Sequence, residues 1–329
     1  MLQEPGEQVV GGSVYTLIAK RVGVGVLTVF AVSIIVFLGT KVLPGDAAQI
    51  RLGQEATPEN VAALREQLGL DLPYWQQYWN WMINFLQGDL GTSLAGDIPV
   101  SNLLEDRYKN TLIVTVLTAL IGVPISLALG ITAAMFPGSL YDRILTIVSV
   151  TLVAAPEFFT ATLMVVILVL ALDIGSAVVV GSIEGKGLFG LISHFALPIA
   201  ALCFVIASQL IRMTRAAVLN VMNSPYIEMA ILKGIPRRVI ILRHALLNAI
   251  GPIVNVVALN LAYLVTGVIV IEVYFSYPGL ATLIVQGVQT RDFVVVQSIG
   301  MLFCMTYVVL MLLADIAAIV SNPRLRHPK

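Results

Sequence analysis

Six apolar runs, each near the ~20 residues that a helix needs to cross a bilayer, fall at roughly 22–42, 112–136, 144–172, 196–219, 246–271 and 294–320. Hydrocarbon offers no partner to a backbone amide, so each run must satisfy its own hydrogen bonds as a helix. The expected fold class is therefore an all-α integral membrane protein with six transmembrane helices. Composition agrees, because 12% of the residues are charged, against about 25% in a soluble domain. Basic and acidic residues are equal at 19 each, so there is no basic field to gather nucleic acid. Cys203 and Cys304 lie in separate apolar runs, which points to membrane burial and away from a disulfide or zinc framework. The first run follows Lys20 and Arg21 but lacks a small-x-small cleavage site, so it is expected to stay as a helix.

An even number of spans places both termini on one side, and the basic residues choose which. The segment from Arg212 to His244 carries six basic residues and one acid, whereas the loop from Asp173 to Phe195 carries Lys186 against Asp173 and Glu184. Basic loops stay cytoplasmic, so the termini are expected inside. The resulting organisation is a cytoplasmic tail (1–21), a first span (22–42), an extracytoplasmic loop (43–109), a five-helix core (110–320) and a cytoplasmic tail (321–329).

Pro124, Pro156, Pro198 and Pro252 sit within spans, as bends in ordinary packing or as the lining of a pathway. Gly122, Gly130, Gly251 and Gly267 would allow close helix contacts. Glu157 follows Pro156 inside the third run, where a carboxylate must face protein or water. It either binds the cationic end of a cargo or caps amides freed at the proline. In the external loop, Thr57 before Pro58 reads as an N-cap. Trp75, Tyr78, Trp79, Trp81 and Phe85 crowd one stretch, suited to the lipid headgroup zone or to docking an external partner.

The segment from Pro225 to Pro252 predicts a short surface helix stopped at Gly234, then a second helix starting near Arg237 and running into the fifth span. Arg237, Arg238 and Arg243 could rest on anionic lipid. Ala230 and Gly234, four apart, would instead let another protein's backbone approach.

The pattern Glu228, Met229, Ala230, Gly234 resembles the Glu-Ala-Ala-x-x-x-Gly signature of ABC importer permeases. The continuation Arg243, His244, Ala245, Leu246, Asn248, Ala249 and Pro252 is similar to its dipeptide, oligopeptide and nickel branch. The resemblance extends in order along the chain. It includes Leu43, Pro44, Gly45 and Asp46, then LREQLGLDLP (64–73) and GDLGTS (88–93), then His194, Leu197, Pro198, Arg212 and Arg215. Glu272, Pro278, Gly279 and Leu280 follow, then Arg291, Asp292, Val295, Val296 and Gln297, and finally Asp315, Pro323, Arg324 and Arg326. Met229, Pro225, Ala281, Lys109 and Ser298 depart from the family pattern.

The resemblance implies a type I ABC importer permease fold in the bacterial inner membrane. It also implies a homologous second permease subunit, two cytoplasmic ATPase subunits and an extracytoplasmic substrate-binding protein. A coupling helix at about 225–243, with Tyr226, Glu228, Ala230, Gly234, Arg243 and His244, would meet an ATPase; Pro156 and Glu157 are possible pore residues. Di- or oligopeptides are the expected cargo, with nickel, opines or sugars as alternatives. The chain has no Gly-x-x-x-x-Gly-Lys-Ser/Thr loop, and Gly185, Lys186, Gly187 lacks the hydroxyl residue, so nucleotide chemistry is expected on partners. No enzyme activity, cofactor or metal site is expected of the chain itself. His194 is placed outside, with His244 and His327 inside, so they cannot share a metal. An ion-coupled secondary transporter is the competing class, with Glu157 and Asp315 as its candidate acids.

Overall fold

In a computed structural model, residues 14–42, 45–179, 181 and 183–321 are described. The first tail up to residue 13, Leu43, Pro44, Pro323, Arg324, Arg326, His327 and Lys329 lie outside them. The described residues form helices and no strand. Five stretches are long and apolar enough to cross a membrane as they stand. They are α1 (Val14–Val42), α5 (Val100–Met135), α9 (Ala196–Met222), α12 (Leu246–Phe275) and α14 (Phe293–Ser321). The short α11 (Arg237–Val239) leads through a π-helical turn, Ile240–Ala245, into α12. The first helix begins at Val14, eight residues before the apolar run that identifies it.

The third run is not one helix. α6 (Leu140–Ala154) and α7 (Glu157–Met164, continued by a π-helical turn Val165–Ala171) meet at a bend of 115°. Pro156 has no amide to donate, and its ring pushes the preceding residue out of the helical region; Ala155 accordingly sits at φ −84°, ψ 132°. Pro124 and Pro252 stay inside α5 and α12. Pro198 falls in the first turn of α9, where its missing amide has no helical partner to lose.

Helix register shows that the bent pair still crosses. The Cys203 thiol donates to the Thr118 carbonyl at 3.8 Å, and Gly130 faces Ile211 and Thr214. Residue numbers therefore rise together on α5 and α9, which run parallel. Two successive parallel spans need a return crossing between them. α6 starts beside Arg215 on α9, its Asp142 accepting from that guanidinium at 2.5 Å. Beyond α7, the Val179 amide donates to the Phe275 carbonyl, 3.4 Å away at the far end of α12. α1 runs antiparallel to α14, with Arg21 near Asp315 and the Gln297 amide donating to the Thr40 hydroxyl. Six crossings result, with a basic end (Arg212, Arg215, Arg237) and a loop end.

Small residues set the α5–α9 contact. A β-carbon at Gly130 would stand 2.8 Å from the Ile211 carbonyl and from Thr214, and one at Gly122 would stand 3.1 Å from the Cys203 sulfur. Gly251 has nothing within 4 Å, so it is not a contact glycine. The main core joins α5, α7, α9 and α12 through Val114, Ala161, Leu202, Leu264, Ile271 and Phe275. Cys203 and Cys304 are free and half-buried.

At the loop end, α2 (Ala47–Leu52) is capped by Asp46, and α3 (Pro58–Gln67) by Thr57, whose hydroxyl accepts from the Asn60 amide at 3.3 Å. α4 (Tyr74–Leu86) lies on α1, with the Tyr78 and Ser33 hydroxyls 2.7 Å apart and the Tyr78 and Phe37 rings 5.5 Å apart. Trp75 and Trp79 remain exposed, as amphipathic rings at a membrane interface would.

Candidate functional site

At the basic end, α10 (Pro225–Leu232) lies between α9 and the start of α11, with Pro225 at its first position. Its termination is a Schellman cap. The Ile235 amide donates to the Ala230 carbonyl at 3.2 Å and the Gly234 amide to the Ile231 carbonyl at 2.9 Å. Gly234 adopts φ +74°, a left-handed conformation open to glycine at no steric cost. Ile227 is fully buried against Ile240 and Ala245, with Ala230 and Ile235 packed on the same cluster.

Two expectations change here. Ala230 and Gly234 do not share a helix face, because α10 ends at Leu232 and Ala230 turns inward. The surface helix also spans 225–232 and not about 225–243, since Arg243 and His244 belong to the π-helical turn that enters α12. The outward side chains of α10 are Pro225, Tyr226, Glu228, Met229, Ile231 and Leu232, of which Leu232 is 75% exposed.

At membrane depth, the break before α7 carries Glu157. A cavity of about 240 Å³ opens there, lined by Pro156 and Glu157 from the break, by Gln209 from α9 and by Tyr263 and Gly267 from α12. The carboxylate rests against bare backbone, since a β-carbon at Gly267 would sit 3.4 Å from both of its oxygens. Glu157 is the first residue of α7, and no side-chain hydrogen bond holds its carboxylate among the described residues. Asp315, the other candidate acid, is paired with Arg21 at 3.2 Å.

At the loop end, segments far apart in sequence converge. The fully buried Glu272 carboxylate accepts from the Thr282 amide at 2.7 Å and from the Thr111 hydroxyl at 2.9 Å, while the Leu280 amide donates to Thr111. A β-carbon at Gly279 would overlap that carboxylate. Ser93 donates to Asp292 at 2.5 Å and Ser298 to the Leu90 carbonyl at 2.8 Å. The 88–93 and 291–298 motifs thus form one rim, and Ser298 has a partner that glycine would lack. Thr111 and Thr282 carry these contacts, as Asp142 carries the pair with Arg215 at the basic end, without any sequence signal of their own.

The Lys186 ammonium donates to His194 Nδ1 across 2.7 Å, and burial, then the Lys186 charge, holds the His194 pKa below the ordinary histidine value. His244 lies at the opposite end, and no group of three metal-binding side chains occurs among the described residues.

Two family profiles match. Residues 126–327 match the binding-protein-dependent transport system inner membrane component, and residues 14–115 match the N-terminal membrane component of such systems. The chain is also 33% identical over 300 residues to the glutathione transport system permease protein GsiC of Escherichia coli K12, covering 91% of this chain and 95% of that protein. The corresponding protein of Salmonella typhi matches to the same extent, at 33% over 91% and 95%. The six crossings, the rim built from ordered motifs and these full-length matches agree: the chain belongs to the binding-protein-dependent transport system inner membrane components, as a multi-pass ABC importer permease.

Proposed function

We propose that the chain forms one half of the pore of an ATP-driven importer for short peptides, of the size class of glutathione. The carrying observation is the match over nine-tenths of the chain to relatives named as glutathione permeases. A homologous second permease completes the pore, a binding protein delivers cargo to the loop end, and two ATPases dock at the basic end. That end faces the cytoplasm, together with both termini, because its basic residues outnumber those of the short opposite loop.

Coupling runs through α10. Tyr226, Glu228, Met229 and Leu232 form the surface that an ATPase cleft grips. Ile227, held between Ile240 and Ala245, passes the movement to the root of α12. Closure of the ATPase pair then switches the pore as a rigid-body change between two packings. Arg243 and His244 steady the root of α12 and do not form the gripped face.

The test is uptake by proteoliposomes holding the four-subunit complex and its binding protein. Expected is ATP-dependent uptake of glutathione or dipeptides, with nickel and sugars excluded. Uptake that persists without ATP and follows a proton gradient would overturn the reading in favour of a secondary transporter.

A further inference from the structure

Beyond Pro252, the side chains of α12 turned away from the rest of the chain are Asn255, Leu259, Tyr263, Thr266, Val270 and Val273. They recur every three or four residues and so form one stripe. An amide, a phenol and a hydroxyl within it mark a face that meets protein or water, because polar groups at membrane depth avoid lipid. Beside this stripe lies the Glu157 cavity, bounded by the 115° break in the third crossing and by Gly267, the neighbour of Thr266.

The cavity has an unusual charge balance. Glu157 has no counter-charge and no hydrogen-bond donor among the described residues. Asn260, also on the wall, spends one amide N–H on the Val256 carbonyl at 2.8 Å and keeps its acceptor oxygen. The other polar groups lining the cavity are neutral: the Gln209 and Asn260 amides, the Ser208 hydroxyl and the Tyr263 phenol. One carboxylate with neutral oxygens nearby suits a monovalent donor-only cation. A divalent metal would need more anionic ligands, and none are grouped there. A primary ammonium has three N–H donors and no acceptor, which matches that set.

We propose that Glu157 is the cation-recognition residue of this chain's half of the translocation path, holding the amino terminus of the cargo at membrane depth. The cargo in this statement rests on the peptide-import reading above; the site does not. The proline break is what makes the site possible. At the break the residue at 157 meets α12 at Gly267, where the missing side chain leaves room.

The test uses the complete transporter in proteoliposomes, with Cys203 and Cys304 replaced by alanine and with Thr266→Cys as reporter; Tyr263→Cys is a second reporter. Modification by a cationic and by an anionic methanethiosulfonate of similar size is timed with Glu157 and with Glu157→Gln. The expected cation-to-anion rate ratio is at least tenfold above that of a small free thiol, returning to the free-thiol ratio in Glu157→Gln. Equal ratios with either residue would mean that a cation of the second permease subunit neutralises Glu157, and would overturn the proposal. Two reporters unreactive in every nucleotide state would overturn it as well. In the same vesicles Glu157→Gln should lower uptake of a free-amine tripeptide at least tenfold. If the unaltered transporter moves no peptide, the cargo reading fails, and the rate ratio still decides the site.

Discussion

Replacing Arg215 by methionine should loosen the basic end of the helix bundle far more than the loss of a surface ion pair. Asp142, 2% exposed, accepts from Arg215 Nε at 2.5 Å, from Arg215 Nη2 at 2.8 Å and from the Gly138 amide at 2.8 Å. Arg215→Met leaves a buried carboxylate with one backbone donor, a change that costs about 3–5 kcal/mol in buried pairs. The Arg215 side chain is 29% exposed, so water can follow into the gap and the low end applies. A loss of about 3 kcal/mol is ~150-fold in the unfolding equilibrium. Equilibrium unfolding in mixed micelles measures it, with Asp97→Asn as the control. That change breaks the Arg51–Asp97 pair, whose aspartate is 67% exposed, and should cost under ~1 kcal/mol. The double variant Asp142→Leu/Arg215→Met removes both charges and should recover most of the loss, leaving about 1 kcal/mol for the stranded Gly138 amide. An Arg215→Met variant within ~0.5 kcal/mol of wild type, or a double variant no better than the single, would falsify the latch.

Three further outcomes are expected. Gly279→Ala forces a methyl group into the Glu272 carboxylate and should cost about 1–3 kcal/mol in the same unfolding assay; no measurable change would mean that the loop-end network yields freely. Leu232→Glu should fold normally yet lose co-purification of the ATPase subunits, whereas Gly234→Asn should keep it, because asparagine tolerates the left-handed cap; the reverse pattern would return Gly234 to the docking face. Because the His194 pKa is lowered by burial and by Lys186, the unfolded chain takes up a proton at higher pH than the folded one. The contribution of that contact is therefore full above the ordinary histidine value of about 6.5 and is lost as pH falls from there through the lowered folded value. Limited proteolysis of the 173–195 loop should accelerate across that window in the wild type and stay flat in His194→Gln; equal pH profiles would refute the role of His194.

The spans were readable because a bilayer imposes length and composition on each helix separately, with no tertiary knowledge needed. The caps at Thr57 and Gly234 were readable for the same reason: each is a local event of four or five residues. The break at Pro156 was only half readable. Four prolines lie in apolar runs, and the same ring either stays within a continuous helix, as at Pro124 and Pro252, or ends one. Which occurs depends on whether packing holds the preceding residue helical, and at Ala155 it does not. The partners of Glu272, Asp292 and Asp142 were unreadable, since each sits tens to hundreds of residues away and carries no periodic signal.

The coupling surface shows why spacing alone misleads at a helix end. Two residues four apart share a face only if the helix continues through both. Gly234 is the residue that stops it, at φ +74°, a left-handed conformation that glycine adopts at no steric cost. Ala230 is small for an internal reason too, since its carbonyl takes the closing Schellman bond and its methyl faces Ile227 and Ile235. The recurring pattern Glu228, Ala230, Gly234 therefore specifies the length and seating of α10. On the coupling reading proposed above, its exposed positions, Leu232 at 75% and Met229 and Ile231 at 55%, are the ones that would match a particular ATPase. Partner choice should then follow exchange of Met229 and Leu232 between related permeases, while exchange of Ala230 or Gly234 should change only stability.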